Sequence, residues 1–188
     1  MALLIIGLVL FLGIHSARMV GDVRANALAK LGPNGWKAAY SVLSIIGFIV
    51  LVYGYGQARQ AAPVLYVPPS ALQPVTWLLM WPAMILLVAS QVPAGKIKAA
   101  VKHPMVLGIK VWAFSHLLVN GDLATVILCV SFLGWAVWNR IWWKRHGDPV
   151  PASVSVRNDV IAIVGGTIAY VAFVLWLHTW LIGVSPIG

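Results

Sequence analysis

Acidic residues are scarce in this chain: it contains no glutamate and only four aspartates among 188 residues. Charged residues make up 9% of the chain, against about 25% in a typical soluble domain, whereas 61% of its residues are hydrophobic. This balance excludes a soluble enzyme and a disordered chain. Cysteine is limited to Cys129, so an internal disulfide, and with it a secreted disulfide scaffold, is also excluded. The composition predicts an integral membrane protein.

The positions of the four aspartates exclude several intramembrane chemistries. Asp22, Asp122, Asp148 and Asp159 all lie outside the middle of the apolar stretches. A proton-coupled transporter, a di-metal carboxylate centre or an intramembrane aspartyl protease needs a carboxylate within the membrane. Asp122 and Asp159 stand near the beginnings of apolar stretches, where we expect them to cap helices.

Six apolar stretches are long enough to be membrane-spanning helices, which need roughly 20 residues to cross a hydrocarbon core of about 30 Å. They cover residues 2–19, 38–56, 72–92, 104–119, 123–138 and 160–183. No connection is long enough to form a soluble domain. We therefore predict an all-α fold, a single domain over residues 1–188 built as a bundle of six transmembrane helices. The turn Asn120-Gly121-Asp122 predicts that the fourth and fifth helices are antiparallel neighbours.

The cations predict the orientation of this bundle. The chain has 13 Lys and Arg residues and a formal net charge of +9. Eleven of these cations fall on alternate connections, which is the positive-inside pattern and places both termini in the periplasm or exterior. The orientation explains the charge without a nucleic-acid partner. The eleven are Arg18, Arg24, Lys30, Lys37, Lys96, Lys98, Lys102, Arg140, Lys144, Arg145 and Arg157.

His15 and His116 lie inside predicted spans, where an imidazole needs a hydrogen bond or a ligand and is a candidate functional group. His15 belongs to the first span and His116 to the fourth. At about 1.5 Å of rise per residue, their predicted depths in the membrane differ by only ~8 Å. Both imidazoles could therefore reach one flat cofactor between these two helices.

A stripe on the fourth span surrounds His116. Gly108, Trp112, His116 and Asn120 recur at intervals of four residues and share one helix face. Such a face could line a porphyrin. It also fits ordinary helix packing, with His116 hydrogen-bonded to Asn120 or to a carbonyl. The spacing alone favours packing.

Further polar residues near the spans have alternative roles. Lys110 could extend to the inner interface, or it could join Arg18 in neutralising cofactor carboxylates such as haem propionates. His103, at the inner interface, is either solvated or the ligand of a polar cytosolic cofactor. We expect His178 to belong to the interfacial aromatic belt with Trp176 and Trp180.

Several strings resemble the NnrU family of bacterial inner-membrane proteins. They are His15-Ser16-Ala17-Arg18, the stretch from His103-Pro104-Met105 to Asn120-Gly121-Asp122, and Phe132-Leu133-Gly134-Trp135-Ala136 with the basic segment that follows. The resemblance implies an inner-membrane location. It also implies a role near nitrite and nitric oxide reduction, because the family takes its name from gene clusters for denitrification.

The NnrU family is similar to the membrane 15-cis-ζ-carotene isomerase, a haem b protein. The positions implicated there in haem ligation match His15 and His116, and His103 is the alternative ligand. The resemblance thus favours haem b over packing, with Arg18 and Lys110 as propionate partners and Gly108, Trp112 and Asn120 lining the site. Displacement of one imidazole would admit a small apolar or diatomic ligand such as NO. A cysteine three residues before the second histidine is replaced here by Ala113, which argues against the isomerase reaction itself.

Two other functions stay open on the sequence. The His103-Pro104 string also resembles membrane methyltransferases that bind S-adenosylmethionine from the cytosol. However, Lys102 replaces their arginine, and the chain has no glutamate for their C-terminal motif. The second alternative is a non-catalytic assembly factor in the membrane, whose histidines only pack.

Overall fold

The computed structural model describes residues 1–187, which form helices joined by short connections. In order, the helices are α1 (Ala2–His15), α2 (Val23–Gln60), α3 (Gln73–Gln91), α4 (Lys96–Val101), α5 (Pro104–Leu117), α6 (Leu123–His146), α7 (Val156–Ala172) and α8 (His178–Ile182). A single 3₁₀ turn, Ser70–Leu72, precedes α3, and a π-helical segment, Phe173–Leu177, joins α7 to α8. The predicted all-α class is confirmed for these residues.

Four helical stretches are long and apolar enough to cross a membrane: Val23–Gln60, Ser70–Gln91, Leu123–His146 and Val156–Ile182. They include the predicted second, third, fifth and sixth spans. The first and fourth predicted spans correspond to α1 and α5, each of 14 residues, or about 21 Å of helix. The chain is therefore a helical protein with four full-length candidate spans and two shorter helices at the other predicted positions.

Helix α2 begins well before the predicted span. It starts at Val23 and contains a kink at Gly32, whose φ of 68° departs from helical geometry and is followed by Pro33. The early turns carry Arg24, Lys30 and Lys37, so apolar content alone does not mark this helix start. Helix α6 similarly continues through basic residues to His146.

The chain divides into two compact units. Unit 1 comprises residues 1–66 and 122–131, and unit 2 comprises residues 67–121 and 132–187. Helix α6 runs through the boundary and contributes its first turns to unit 1 and the remainder to unit 2.

In unit 1, α1 and α2 pack antiparallel through glycines. A Cβ atom added at Gly54 would lie 2.5 Å from the Leu3 carbonyl carbon, and one at Gly7 would lie 2.5 Å from the Leu51 Cα atom. The two backbones therefore approach more closely than any side chain at these positions allows. Close approach through small residues is the common packing mode of helices in membranes.

The first turn of α6 is fixed within unit 1. Asp122 accepts a hydrogen bond from the Thr125 backbone N–H at 2.9 Å, which confirms Asp122 as the predicted N-cap. The Leu123 N–H donates to the Pro63 carbonyl, and the Tyr55 and Thr125 hydroxyls lie 2.9 Å apart. Cys129, one turn further along α6, is a buried free thiol.

In unit 2, α3 packs against α5 and α7. A Cβ atom at Gly166 of α7 would lie 2.5 Å from the Ile85 Cα atom of α3. The Thr76 hydroxyl of α3 donates to the Ser115 carbonyl of α5 at 3.0 Å. These contacts fix α5, and hence His116, against α3.

Asp159 caps a helix, but the helix is α4 rather than its own. Its carboxylate accepts hydrogen bonds from the backbone N–H groups of Lys96 (2.8 Å) and Ile97 (2.9 Å). Asp159 lies in the first turn of α7, and its contact therefore joins the start of α7 to the start of α4. The expected capping role is correct, while its partner lies 63 residues away along the chain.

Candidate functional site

His116 lies in the last turn of α5 and is half-buried. Its Nδ1 atom is 2.9 Å from the Trp112 carbonyl oxygen one turn earlier, so Nδ1 carries the proton and donates it. A ring held in this way presents Nε2 as the nitrogen able to bind a metal. The Trp112 ring packs beside the imidazole, with centroids 5.2 Å apart.

The rest of the predicted stripe on α5 has individual contacts. The Asn120 side-chain amide donates a hydrogen bond to the His116 backbone carbonyl at 3.0 Å. Trp112 also meets the edge of Phe132 of α6, with centroids 5.4 Å apart. Gly108 is buried, and an added Cβ would lie 3.1 Å from the Ala83 carbonyl oxygen of α3. The space beside Gly108 is thus taken by a neighbouring helix.

His178 lies close to His116 within unit 2. The ring centroids are 6.4 Å apart, and the ring planes are within 19° of parallel. The Nδ1 atom of His178 is 2.7 Å from the Val184 carbonyl oxygen. We had expected His178 to belong to the interfacial belt, and its proximity to His116 could not be read from their separation of 62 residues. The tryptophans on either side of it, Trp176 and Trp180, are exposed.

His15, the other predicted ligand, ends α1 in unit 1. Its Nδ1 atom is 2.6 Å from the Phe11 carbonyl oxygen, an arrangement like that of His116. The ring lies 4.3 Å from the Phe11 ring and 5.3 Å from the Tyr40 ring, measured between centroids. His15 is therefore surrounded by aromatic groups of α1 and α2.

The two predicted carboxylate partners also belong to different units. Arg18 is exposed in unit 1, with Tyr40 among its electrostatic neighbours. Lys110 is half-buried on α5 in unit 2, where its electrostatic neighbours are the cations Arg140 and Lys144. A group of cations of this kind favours an anionic partner near Lys110.

His103 is part of a polar cluster centred on Asp148. The Asp148 carboxylate accepts two hydrogen bonds from the Arg140 guanidinium and one from Lys102 at 2.9 Å. The His103 Nε2 atom lies 3.0 Å from the same carboxylate, and its ring packs 5.0 Å from that of Trp143. The Arg140 hydrogen bonds, followed by that of Lys102, hold the pKa of Asp148 well below its usual range.

This cluster bears on both alternative roles of His103. Because its Nε2 atom already faces Asp148, His103 has a local structural partner at the start of α5. Among residues 1–187, no group of three or more His, Cys, Asp or Glu side chains is arranged to hold a metal ion.

An apolar groove runs along α1 in unit 1. Its lining consists of aliphatic side chains and Gly13, and it is open on one side. The lining residues are Val9, Leu10, Gly13, Ile14, Ala17, Val20, Val23 and Leu43.

The family profile described as NnrU protein matches residues 3–186, nearly the whole chain. The protein belongs to the NnrU family. No curated protein and no solved structure matches the chain. The match includes both α1 with His15 and the α5–α8 region with His116 and His178, so all the candidate ligands lie inside the family's domain.

Proposed function

We propose that this NnrU protein binds haem b through His116 and acts in a redox or nitric-oxide-related process in the bacterial inner membrane. The observation that carries the proposal is the state of the His116 side chain. The His116 imidazole lies on an apolar helix, and its Nδ1 atom donates a hydrogen bond to the Trp112 carbonyl. Haem-ligating imidazoles are oriented by the same kind of hydrogen bond, which leaves Nε2 for the iron.

Two features near His116 support the haem proposal. Trp112 provides an aromatic surface beside the imidazole. Lys110 lies six residues before His116, about 9 Å away along the helix axis, and stands in a cationic region that would attract propionates. When bound, haem would supply a redox-active iron that is able to bind a diatomic ligand.

His15 is the second ligand that the sequence predicts, with Arg18 as the propionate partner beside it. The hydrogen bond from its Nδ1 to the Phe11 carbonyl supports this role, because it orients the ring in the same manner as that of His116. In a more specific form of this proposal, the haem protein has an isomerase-like activity on an apolar substrate.

We also propose that all six predicted spans lie in the membrane. In unit 2, the Asp148 cluster joins Lys102, before α5, to Arg140, at the end of α6. In a membrane, those two segments would therefore lie on the same side. A hairpin in which α5 leaves that side of the membrane and α6 returns to it would account for this contact, although α5 is short. This hairpin supports six spans, cytoplasmic cations and both termini in the periplasm.

Absorption spectroscopy of the detergent-purified protein tests the haem proposal. We expect a Soret band at one haem per chain in the wild type, and its loss in His116→Ala. His146→Ala is the matched control, because His146 is exposed and hydrogen-bonds a carbonyl in the same way, yet lies outside the candidate site. A colourless wild-type protein from haem-replete cells would contradict the proposal.

The methyltransferase alternative has less support. It requires His103 as a cofactor-binding residue, and the His103 Nε2 atom already faces the Asp148 carboxylate. Saturable binding of S-adenosylmethionine by the wild-type protein, lost in His103→Ala, would instead favour that function.

A further inference from the structure

Lys110 lies on an exposed apolar face of α5. Leu107, Lys110 and Phe114 are spaced by three and four residues and therefore share one side of the helix. Leu107 and Phe114 are exposed although both are large and hydrophobic, and Lys110 is half-buried between them. Exposed apolar surface of this kind suits contact with lipid. The face thus combines a membrane-facing surface with a positive charge.

Helix α6 has a face of the same composition. Val137, Arg140, Ile141 and Lys144 recur at intervals of three or four residues. Val137 and Ile141 are exposed, Arg140 is half-buried, and Lys144 is exposed near the end of the helix. Such a face presents apolar surface to acyl chains and, toward the helix end, positive charge to a headgroup.

The cations of the two helices are close together. Arg140 and Lys144 are both electrostatic neighbours of Lys110. Lys110 lies six residues after the start of α5, and Arg140 lies six residues before the end of α6, each about 9 Å along its helix axis. Asp148 joins the two helix ends, because it accepts hydrogen bonds from both Lys102 and Arg140. Lys110, Arg140 and Lys144 therefore form one cationic cluster within unit 2.

Carboxylates do not balance this cationic cluster. Unit 2 contains two aspartates and no glutamate. The Asp148 carboxylate is already bound by Arg140, and the Asp159 carboxylate accepts backbone hydrogen bonds at the start of α4. Among residues 1–187, Lys110 forms no salt bridge. An anion placed among the three cations would therefore offset their mutual repulsion, which apolar surroundings strengthen.

We propose that the cationic cluster binds the phosphate of an anionic phospholipid whose acyl chains lie against the exposed apolar side chains of α5 and α6. Basic sites beside transmembrane helices on the cytoplasmic side recognise such headgroups. The proposal rests on the membrane arrangement proposed for α5 and α6, and it does not require haem.

A haem propionate is the other anion proposed for Lys110. The phospholipid is favoured by the position of Lys110 on its helix. At about 100° per residue, Lys110 is turned roughly 120° around the axis of α5 from His116. Its neighbours along the same face, Leu107 and Phe114, are exposed. Lys110 therefore faces the surroundings of unit 2 in which a lipid would lie.

Native mass spectrometry of the detergent-purified protein, titrated with defined lipids, tests the proposal. We expect the wild type to bind one phosphatidylglycerol per chain in preference to zwitterionic phosphatidylethanolamine. Lys110→Gln and Lys144→Gln should each weaken phosphatidylglycerol binding about fivefold, the usual contribution of one cation beside an anionic headgroup. Lys110→Arg should keep the binding. Arg157→Gln is the matched control, because Arg157 is an exposed cation in the first turn of α7 and lies outside the cluster.

Three results would overturn the proposal. They are equal binding of the two lipids, unchanged binding in both glutamine variants, and displacement of phosphatidylglycerol by an equal concentration of inorganic phosphate. The last would show a site for a free anion, to which acyl chains contribute nothing. Because Lys144 is exposed, Lys144→Gln keeps the test valid even where Lys110→Gln does not fold.

His116→Ala separates this proposal from haem binding. We expect this variant to bind phosphatidylglycerol as the wild type does, whether or not it has lost haem. Selective lipid binding by a colourless wild-type protein would contradict the haem proposal alone. If the wild type binds haem but shows no preference for phosphatidylglycerol, the lipid site is overturned and the propionate remains the anion near Lys110.

Discussion

Asp148 receives hydrogen bonds from Arg140 of α6 and from Lys102 and His103, which lie between α4 and α5. These bonds favour the carboxylate, so the pKa of Asp148 is lowered in the folded protein relative to about 3.9 in an unfolded chain. A group with a lowered folded pKa stabilises the fold above its unfolded pKa. Its contribution is lost as the pH falls through the folded value.

We therefore expect the thermal stability of the protein in detergent to fall as the pH is lowered below about 4. In Asp148→Asn this acid-dependent loss should be smaller, since the amide cannot become protonated in this range, and stability near neutral pH should be lower than in the wild type. Unfolding followed by tryptophan fluorescence at a series of pH values measures both effects. Equal acid sensitivity in the two proteins would contradict this role of Asp148.

Single residues differ in how far the sequence predicts their roles. Asp122 could be recognised as a cap because its acceptor function is local, three residues from the N–H that it binds. Asp159 was expected to cap its own helix, but its partners lie at the start of α4, and no local pattern specifies that distance. The ring pairing of His116 and His178 depends on how α5 and α8 are held in unit 2, and is equally absent from any local pattern.

The α1–α2 pair depends on glycines whose neighbours on the opposite helix are backbone atoms. Gly54 would place a Cβ 2.5 Å from the Leu3 carbonyl carbon, whereas nothing lies within 4 Å of a Cβ at Gly56 of the same helix. Backbone atoms cannot move aside as a side chain would. The two glycines therefore form a matched pair with opposite expected responses to alanine.

We expect Gly54→Ala to destabilise the protein by about 1–3 kcal/mol, the usual range for overpacking, and Gly56→Ala to be neutral or slightly stabilising. Resistance to unfolding in increasing SDS would measure the difference. Equal stability of the two variants would mean that the helices tolerate a wider separation than their contact indicates.

The sequence predicts the positions of the long helices more closely than their boundaries and internal distortions. Apolar content located the four long spans, because the bilayer imposes length and hydrophobicity on any crossing helix. It did not reveal the cationic first turns of α2, the short α4 or the π-helical segment before His178. These features depend on tertiary contacts and on single hydrogen bonds, which leave little trace in hydropathy.

Within each unit, connections that are distant in sequence meet in pairs. In unit 2, the segments at Lys102 and Asp148 meet, and the starts of α4 and α7 meet through Asp159. In unit 1, the Pro63 segment meets the start of α6 at Leu123. With four spans, Lys102 and Asp148 would lie on opposite sides of a membrane, so their salt bridge of 2.9 Å supports the proposed six-span arrangement.

Reporter fusions test the proposed six-span arrangement. We expect a reporter that is active only in the periplasm to be active when fused after Gly121 or after Gly188, and inactive when fused after Val150. The Gly121 fusion distinguishes the six-span arrangement, because it lies at the turn between α5 and α6. Activity of a strictly cytoplasmic reporter after Gly188 would reverse the proposed orientation.

Cys129 gives the protein a practical advantage for spectroscopy. It is the only cysteine in the chain, and its side chain is 1% exposed on α6. Thiol reagents should therefore not react with the native protein. Cysteines introduced on exposed surfaces can then be spin-labelled without first replacing Cys129. Pairs of such labels on α1 and α5 would measure directly how the distance between the two candidate ligand helices changes when a cofactor is added.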